Sequence, residues 1–327
     1  MIRTRVCDLL GIEHPIFLGG LGGGHTSPEM VAAVSAAGGF GAQGCHMLGP
    51  RQIADAAAAI RARTDKPFAL NFLLFLVEED CYAAALAQKP AAIVIAWPRP
   101  DQDMKGYIAR AHEAGCKVMV MAGGVPEARG AADSGADIVI AQGTEGGGHV
   151  GWMASMALVP MVVDAVAPVP VLAAGGIADG RGLAAALALG ADGALLGTRF
   201  LASDESPLHA NFKQAIVASD GHDTVLSEIP DIASGTVWPG AMSRTARNAI
   251  VQRWSGREWA LRQYQREALT DLQRARQAGD IAESTLSYGQ DAGLIASILP
   301  AGDIVRRIAR EAEEIVSSRL PGLLRRG

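Results

Sequence analysis

Ser134-Gly135-Ala136-Asp137-Ile138-Val139-Ile140-Ala141 decides the fold. A small residue and a glycine close one helix, because glycine takes the left-handed conformation that ends it. The apolar run that follows is short and does not alternate, as in a parallel strand buried on both faces. The same phrase returns at Ala37-Gly38-Gly39, Ala114-Gly115-Cys116 and Leu189-Gly190-Ala191-Asp192. Working outward, eight strands are predicted at residues 16–18, 40–42, 68–71, 93–96, 118–121, 138–141, 169–173 and 194–197. Ala-rich helical segments intervene, among them 53–63, 101–114, 126–134 and 179–189. Eight β–α alternations in about 200 residues predict an α/β fold, a (β/α)8 TIM barrel.

After Phe200 the pattern changes. Residues 206–277 read as helix and loop with Arg- and Gln-rich surfaces, predicting a smaller helical sub-domain inserted after the eighth strand. Trp238, Trp254 and Trp259 fall there and are read as its core, a ligand stack being the other reading. Ile304, Ile308 and Ile315 recur at helical spacing, so 303–320 predicts a final amphipathic helix. The expected organisation is a barrel at 1–204, a helical sub-domain covering the site at 205–280, and a C-terminal segment and helix returning to the barrel at 281–327.

Composition narrows the function. Of 327 residues, 49% are hydrophobic and 19% charged, which supplies enough apolar surface to order the chain. The net charge of −5 and the lack of a basic stripe argue against a nucleic-acid partner, and the Arg325-Arg326 pair is too short to change that. No apolar run is long enough to predict a membrane span, and the start of the chain does not read as a signal peptide. Cys7, Cys45, Cys81 and Cys116 lie 38, 36 and 35 residues apart, so no metal site and no CxxC pair is expected; reduced thiols in a cytoplasmic protein are the simplest reading. Cys45 beside His46 resembles half of a nucleophile pair, but adjacent residues rarely face each other.

In a barrel of this kind the chemistry sits on the loops that follow the strands. The first strand runs into Gly19-Gly20-Leu21-Gly22-Gly23-Gly24-His25, whose open backbone suits close approach of a planar ligand or an anion, or equally a flexible loop. The third ends in Asn71, whose carboxamide can donate and accept to a heterocycle edge or shape a local turn. The sixth leads into Gln142-Gly143-Thr144-Glu145-Gly146-Gly147-Gly148-His149-Val150-Gly151. Gly146, Gly148 and Gly151 spell GxGxxG, yet five strands precede them and an extended spacer separates them from the sixth, so a Rossmann fingerprint is rejected. What remains is His149 among glycines, suited to proton transfer near neutral pH or to a structural hydrogen bond. Gly175-Gly176 and Gly197-Thr198 follow the seventh and eighth strands, where such barrels cradle phosphate. Arg199 beside them adds charge there or forms a structural ion pair. A phosphate beside a planar-ligand site suggests FMN.

These residues make the sequence resemble the nitronate monooxygenase (2-nitropropane dioxygenase) family of FMN-dependent barrels, which also takes in NADH:quinone reductases and flavin-type enoyl-ACP reductases. The resemblance covers nearly the whole chain. It rests on His14-Pro15-Ile16, Lys66-Pro67-Phe68-Ala69-Leu70-Asn71, Glu145-Gly146-Gly147-Gly148-His149, Ala174-Gly175-Gly176-Ile177-Ala178-Asp179-Gly180, Gly197-Thr198-Arg199-Phe200 and Tyr288-Gly289-Gln290-Asp291-Ala292-Gly293. It implies that Gly20, Leu21 and Gly22 line the isoalloxazine, that Asn71 and Gln142 contact flavin or ribityl groups, and that Gly147 and Gly148 close over the cofactor. It further implies phosphate held by Gly175, Gly176, Gly197 and Thr198, an approach of Gln290 from the C-terminal segment, and His149 as the acid or base. Two departures bear on substrate shape: Leu18 stands where the family often has Gln, and Leu21-Gly22-Gly23-Gly24 lacks the Met-Ala or Met-Gln of many members. The implied activity is oxidation of alkyl nitronates by O2 to a carbonyl compound and nitrite. The alternative is an NAD(P)H-dependent reductase of quinones or enoyl thioesters. A small-molecule substrate and a homodimer fit either activity.

Overall fold

The computed structural model describes residues 1–324; the Arg325-Arg326 pair lies outside the described residues. In chain order the strands are β1 (Ile16–Leu18), β2 (Gly41–Gly44), β3 (Phe68–Leu73), β4 (Ala92–Ala96), β5 (Lys117–Ala122), β6 (Ile138–Gln142), β7 (Gly148–Val150), β8 (Val171–Ala174), β9 (Gly193–Leu196), β10 (Thr224–Ser227) and β11 (Met242–Ala246). Eight of them form one parallel sheet in the order β1-β9-β8-β6-β5-β4-β3-β2. A parallel bridge between Phe17 and Phe40 joins its two ends, so the sheet is a nearly closed barrel. The expected strands are all present, shifted at their ends by three residues or fewer.

The non-alternating strand sequences follow from burial on both faces. Ile16 and Leu18 point outward to the surrounding helices, while Phe17 points into the barrel with Val94, Ile140 and Leu195. Val6, Cys7 and Leu10 of the helix Arg5–Leu10 join that inner cluster and plug the N-terminal end of the barrel.

Arg5 pins this plug. Its Nε and Nη2 donate to the buried Asp192 carboxylate at 2.8 and 2.6 Å, and its Nη1 donates to the Pro168 carbonyl at 2.8 Å. Without the guanidinium, Asp192 keeps only the Val171 amide, at 3.2 Å. Arg5→Ala is expected to lower stability by about 2–3 kcal/mol, because a buried charge loses its partner. An unchanged urea midpoint would show that water replaces the arginine.

The last helix, Ala301–Glu314, packs between Gly180–Ala188 and Pro28–Ala36, the place of an eighth barrel helix. Gly180 permits the approach: a Cβ there would sit 2.3 Å from Glu311 Cβ. The α-helix ends at Glu314 and continues as a π turn, Ile315–Arg319, so it is shorter than the expected 303–320.

The segment after the barrel strands differs from its reading as helix and loop. β10 pairs antiparallel with β11, and β11 pairs antiparallel with β7, which belongs to the loop after β6. Neither β10 nor β11 carries an apolar run, and the partner of β11 lies far away in sequence, so nothing local marks them as strands.

Candidate active site

His149 lies in β7, opposite Ser243 of β11. This pairing carries the imidazole to the helix Ile229–Ser234, where Nε2 meets Asp231 Oδ1 at 2.8 Å. Both side chains are largely buried, with 14% and 12% exposure. The opposite constraint comes from Trp238, whose ring stacks on the imidazole at 3.3 Å and 12°. Trp238 in turn packs on Phe75 at 4.8 Å and on Trp97 at 6.0 Å. Trp97, just past β4, holds a left-handed backbone with φ 54°, a strained conformation that functional sites retain.

A carboxylate only accepts, so the proton of the neutral ring sits on Nε2 and the lone pair on Nδ1. Nδ1 makes no hydrogen bond among the described residues and is not sealed from solvent. The arrangement is that of a base oriented by an acid, with the stacked indole fixing the ring plane.

This corrects the tryptophan reading. Trp254 does pack on Ile229, Ile250, Val251 and Leu261, but Trp259 is 65% exposed and Trp238 belongs to the site. Asp231 was not found from the sequence. It lies 82 residues from His149, in a short helix without a motif.

The other expected residues gather at the C-terminal ends of the barrel strands. Asn71 is buried and donates from Nδ2 to the Gly20 carbonyl at 3.3 Å. Gly20 must be glycine, since a Cβ would fall 2.3 Å from Asn71 Cβ. Leu21 and Gly22 continue this loop, and Gly22 faces His46. Gln142 ends β6 with its Oε1 buried and without a partner. Gly175 and Gly176 follow β8 with φ of 90° and 76°, and the 143–146 loop packs on both. That loop is fixed by Glu145, which accepts the Ser155 amide at 3.0 Å, and by Arg244 Nε, which donates to the Thr144 carbonyl at 2.8 Å.

The C-terminal segment closes against these loops. Gly147 abuts the Tyr288–Gly289 backbone, and Gly148 (φ 75°) has open space where a side chain would stand. The Gln290 amide donates to the Glu145 carbonyl at 2.9 Å, while the Gln290 side chain is exposed. Thr198, next to Gly197, accepts the Gly289 amide on Oγ1 at 2.9 Å, so its hydroxyl holds the protein's own segment.

Arg199 is neither a charge open to a ligand nor half of an ion pair. It is buried, donating from Nη2 to the Ala202 and Ser297 carbonyls at 2.7 and 2.6 Å, and burial lowers its pKa to about 10. Cys45 is no nucleophile: its thiol donates to the Gln43 carbonyl at 3.4 Å, and burial pushes its pKa up to about 12.

Asp291 is buried in this seam with Oδ1 unpartnered. Burial pushes its pKa up to about 7, against the contrary pull of Thr198 and Arg199. A carboxyl whose pKa rises on folding favours the folded state below its unfolded value and loses that contribution as pH rises through the folded one. Asp291→Asn is therefore expected to raise stability by about 2 kcal/mol or more at pH 8, by less at pH 5, and not at all at pH 3, below the ordinary carboxylate value. Equal melting shifts at pH 8 and pH 3 would contradict a proton on Asp291.

A nearly closed parallel barrel with carboxamides and paired glycine loops at its strand ends is a TIM barrel, and its relatives make the chain an oxidoreductase. The family model for nitronate monooxygenase matches residues 3–96 and 83–311, and the chain belongs to that family, in which flavin dependence is general. A curated relative from Rhodococcus jostii (strain RHA1), (3aS,4S,5R,7aS)-5-hydroxy-7a-methyl-1-oxo-octahydro-1H-indene-4-carboxyl-CoA dehydrogenase, is 37% identical over 230 residues. That match spans 70% of this chain and 64% of the relative, so the chain spans less than two thirds of it. Among solved structures, FabK from Thermotoga maritima aligns with a TM-score of 0.88 at 37% identity, covering 99% of this chain and 100% of that one. Nitroalkane oxidase from Streptomyces ansochromogenes aligns with a TM-score of 0.82 at 28% identity, covering 96% and 99%.

Proposed function

We propose that this protein oxidises alkyl nitronates with FMN and O2, yielding a carbonyl compound and nitrite, with His149 as its acid–base residue. The observation that carries the reading is the Asp231–His149 pair clamped by Trp238. When bound, the flavin supplies the electron-transfer and oxygen chemistry. The residues suit such a group. Gln142 offers an unused buried acceptor to a hydroxyl, and the close fit of Gly20 on Asn71 leaves a flat backbone surface at the end of β1. A single phosphate has the loops at Gly175-Gly176 and Gly197-Thr198, where backbone amides rather than the Thr198 hydroxyl would serve it.

The protein's own part is proton handling and orientation. His149 Nδ1 takes the α-proton when a neutral nitroalkane arrives, and Asp231 stabilises the resulting imidazolium. A nitronate has already lost that proton, so for it His149 orients the anion and need not act as a base. Trp238 keeps the ring from turning and excludes water from one face.

A second reading is favoured by the full-length 37% identity to FabK and the same identity to a carboxyl-CoA dehydrogenase. Here the protein is an NAD(P)H-dependent reductase of quinones or enoyl thioesters, and His149 is the proton donor. Anaerobic mixing with NADH, NADPH and propionate 3-nitronate separates the two. Bleaching of flavin absorbance by the nitronate alone supports the first reading; rapid bleaching by either nucleotide moves the assignment to the second.

A further inference from the structure

Trp238 covers one face of the His149 ring, yet little ties it there. It sits in the loop 235–241, between the helix Ile229–Ser234 and β11. Left-handed glycines stand near both ends of this loop, Gly235 with φ 74° and Gly240 with φ 71°. Thr236 is still anchored, its amide donating to the Asp231 carbonyl at 3.0 Å. From Val237 to Ala241 no backbone hydrogen bond is made among the described residues, and Val237 is 87% exposed. What holds this stretch is the indole itself. It stacks on His149 at 3.3 Å and packs on Phe75 and Trp97 at 4.8 and 6.0 Å.

Behind the loop lies a cavity of about 330 Å³, lined by Asp231, Ile232, Val237, Trp238, Ala241 and Gln265. Trp238 thus borders His149 on one side and this cavity on another. A swing about the two glycines moves the indole toward the cavity without breaking a hydrogen bond. The place it vacates is a flat slot. The imidazole forms one wall and the Phe75 and Trp97 rings form others, with Leu73, Ala96 and Met121 packed against them. Aromatic rings pack well on such walls, and a charged chain would be stripped of water there. The indole therefore stands where the flat group of a ligand fits, and a ligand that displaces it takes over the clamp on the imidazole. Nδ1 stays open at the ring edge, so a short linker from the stacked group brings an acidic carbon to it.

We propose that Trp238 determines specificity by holding the place of the flat aromatic group of an arylalkyl nitro compound, which displaces it on binding. The choice of a nitro compound rests on the nitronate reading above; the aromatic slot does not, and it is tested by binding alone.

Carboxylates are stable, planar stand-ins for the nitronate group. 3-Phenylpropionate and propionate thus mimic the nitronates of 1-nitro-2-phenylethane and nitroethane and differ only in the phenyl ring. The flavin-loaded protein, labelled with 5-fluorotryptophan, is titrated with each, and the Trp238 fluorine signal is assigned by its loss in Trp238→Phe. 3-Phenylpropionate is expected to bind about tenfold or more tightly than propionate and to shift the Trp238 signal at saturation. Trp238→Ala should bind 3-phenylpropionate more tightly than the parent does, because no indole competes for the slot. A fixed aromatic wall predicts the opposite, weaker binding through a lost contact. Equal affinities for the two carboxylates overturn the proposal, as does a Trp238 signal that saturation leaves unmoved. So does weaker binding by Trp238→Ala when that variant keeps its flavin and melting temperature. Turnover answers separately. If 3-phenylpropionate displaces Trp238 but neither nitro compound is oxidised, the slot stands and the nitronate reading fails; oxidation of nitroethane with Trp238 unmoved keeps the reading and removes the slot.

Discussion

His149→Asn should reduce turnover of a neutral nitroalkane by roughly a hundred- to ten-thousand-fold, the usual yield of a positioned general base. Asparagine nearly matches the reach of the imidazole and can still meet Asp231, so the cleft keeps its shape. What it lacks is a basic nitrogen to take the α-proton. A preformed nitronate needs no such step, so its oxidation should fall far less, about tenfold, through loss of one charge-assisted contact. Flavin content should be unchanged, since no barrel loop packs on the removed nitrogen. The decisive measurement is the ratio of nitroalkane to nitronate turnover in the same preparation. If both fall together, His149 binds or shapes the site and abstracts no proton.

Asp231→Asn extends the argument one residue outward. The carboxylate is 2.8 Å from Nε2 and acts only through the histidine, so it is a positioning residue. Its loss should lower nitroalkane turnover about ten- to a hundredfold and change the nitroalkane-to-nitronate ratio in the same direction as His149→Asn. Damage to the fold alone would lower both activities and leave the ratio where it was.

The barrel was legible because each of its strands announces itself locally. A short apolar run marks each, a Gly-ended helix precedes four of them, and the repetition of that phrase does the rest. Where the signal weakens is instructive. β7, β10 and β11 have polar sequences, and their sheet is held by pairing between distant segments. The same nonlocality hides half of the site. His149 is marked by its glycines, but Asp231 and Trp238 come from a short helix and a loop that no periodicity distinguishes. Trp238 looked like core because large aromatics usually are. Arg199, which follows Gly197-Thr198, was read as added charge for an anion or as a structural ion pair, yet the chain turns its guanidinium inward onto two carbonyls. Residue type and strand end are thus readable, whereas the direction of a side chain depends on what packs over it.

Gly147→Ala should be the most damaging small substitution in the loops. A Cβ at this position would lie 2.5 Å from both Cα and the carbonyl carbon of Tyr288, and 2.6 Å from the Gly289 nitrogen. All three are backbone atoms, so no rotamer change relieves the overlap; one segment must move bodily away from the other. Two hydrogen bonds hold that seam, from the Gly289 amide to Thr198 and from the Gln290 amide to Glu145, and both open if it parts. β7 begins at the next residue, so the displacement also shifts His149 against Ser243 and away from Asp231. Together these predict a loss of about 3 kcal/mol and a melting temperature lower by about 5 °C or more. They also predict release of flavin and loss of turnover with every substrate. Gly148→Ala is the matched control: nothing lies within 4 Å of its Cβ, and only the φ of 75° resists the change. It should cost about 1 kcal/mol and keep the flavin. Were Gly147→Ala to melt with Gly148→Ala and stay yellow, the C-terminal segment would not be the lid on these loops.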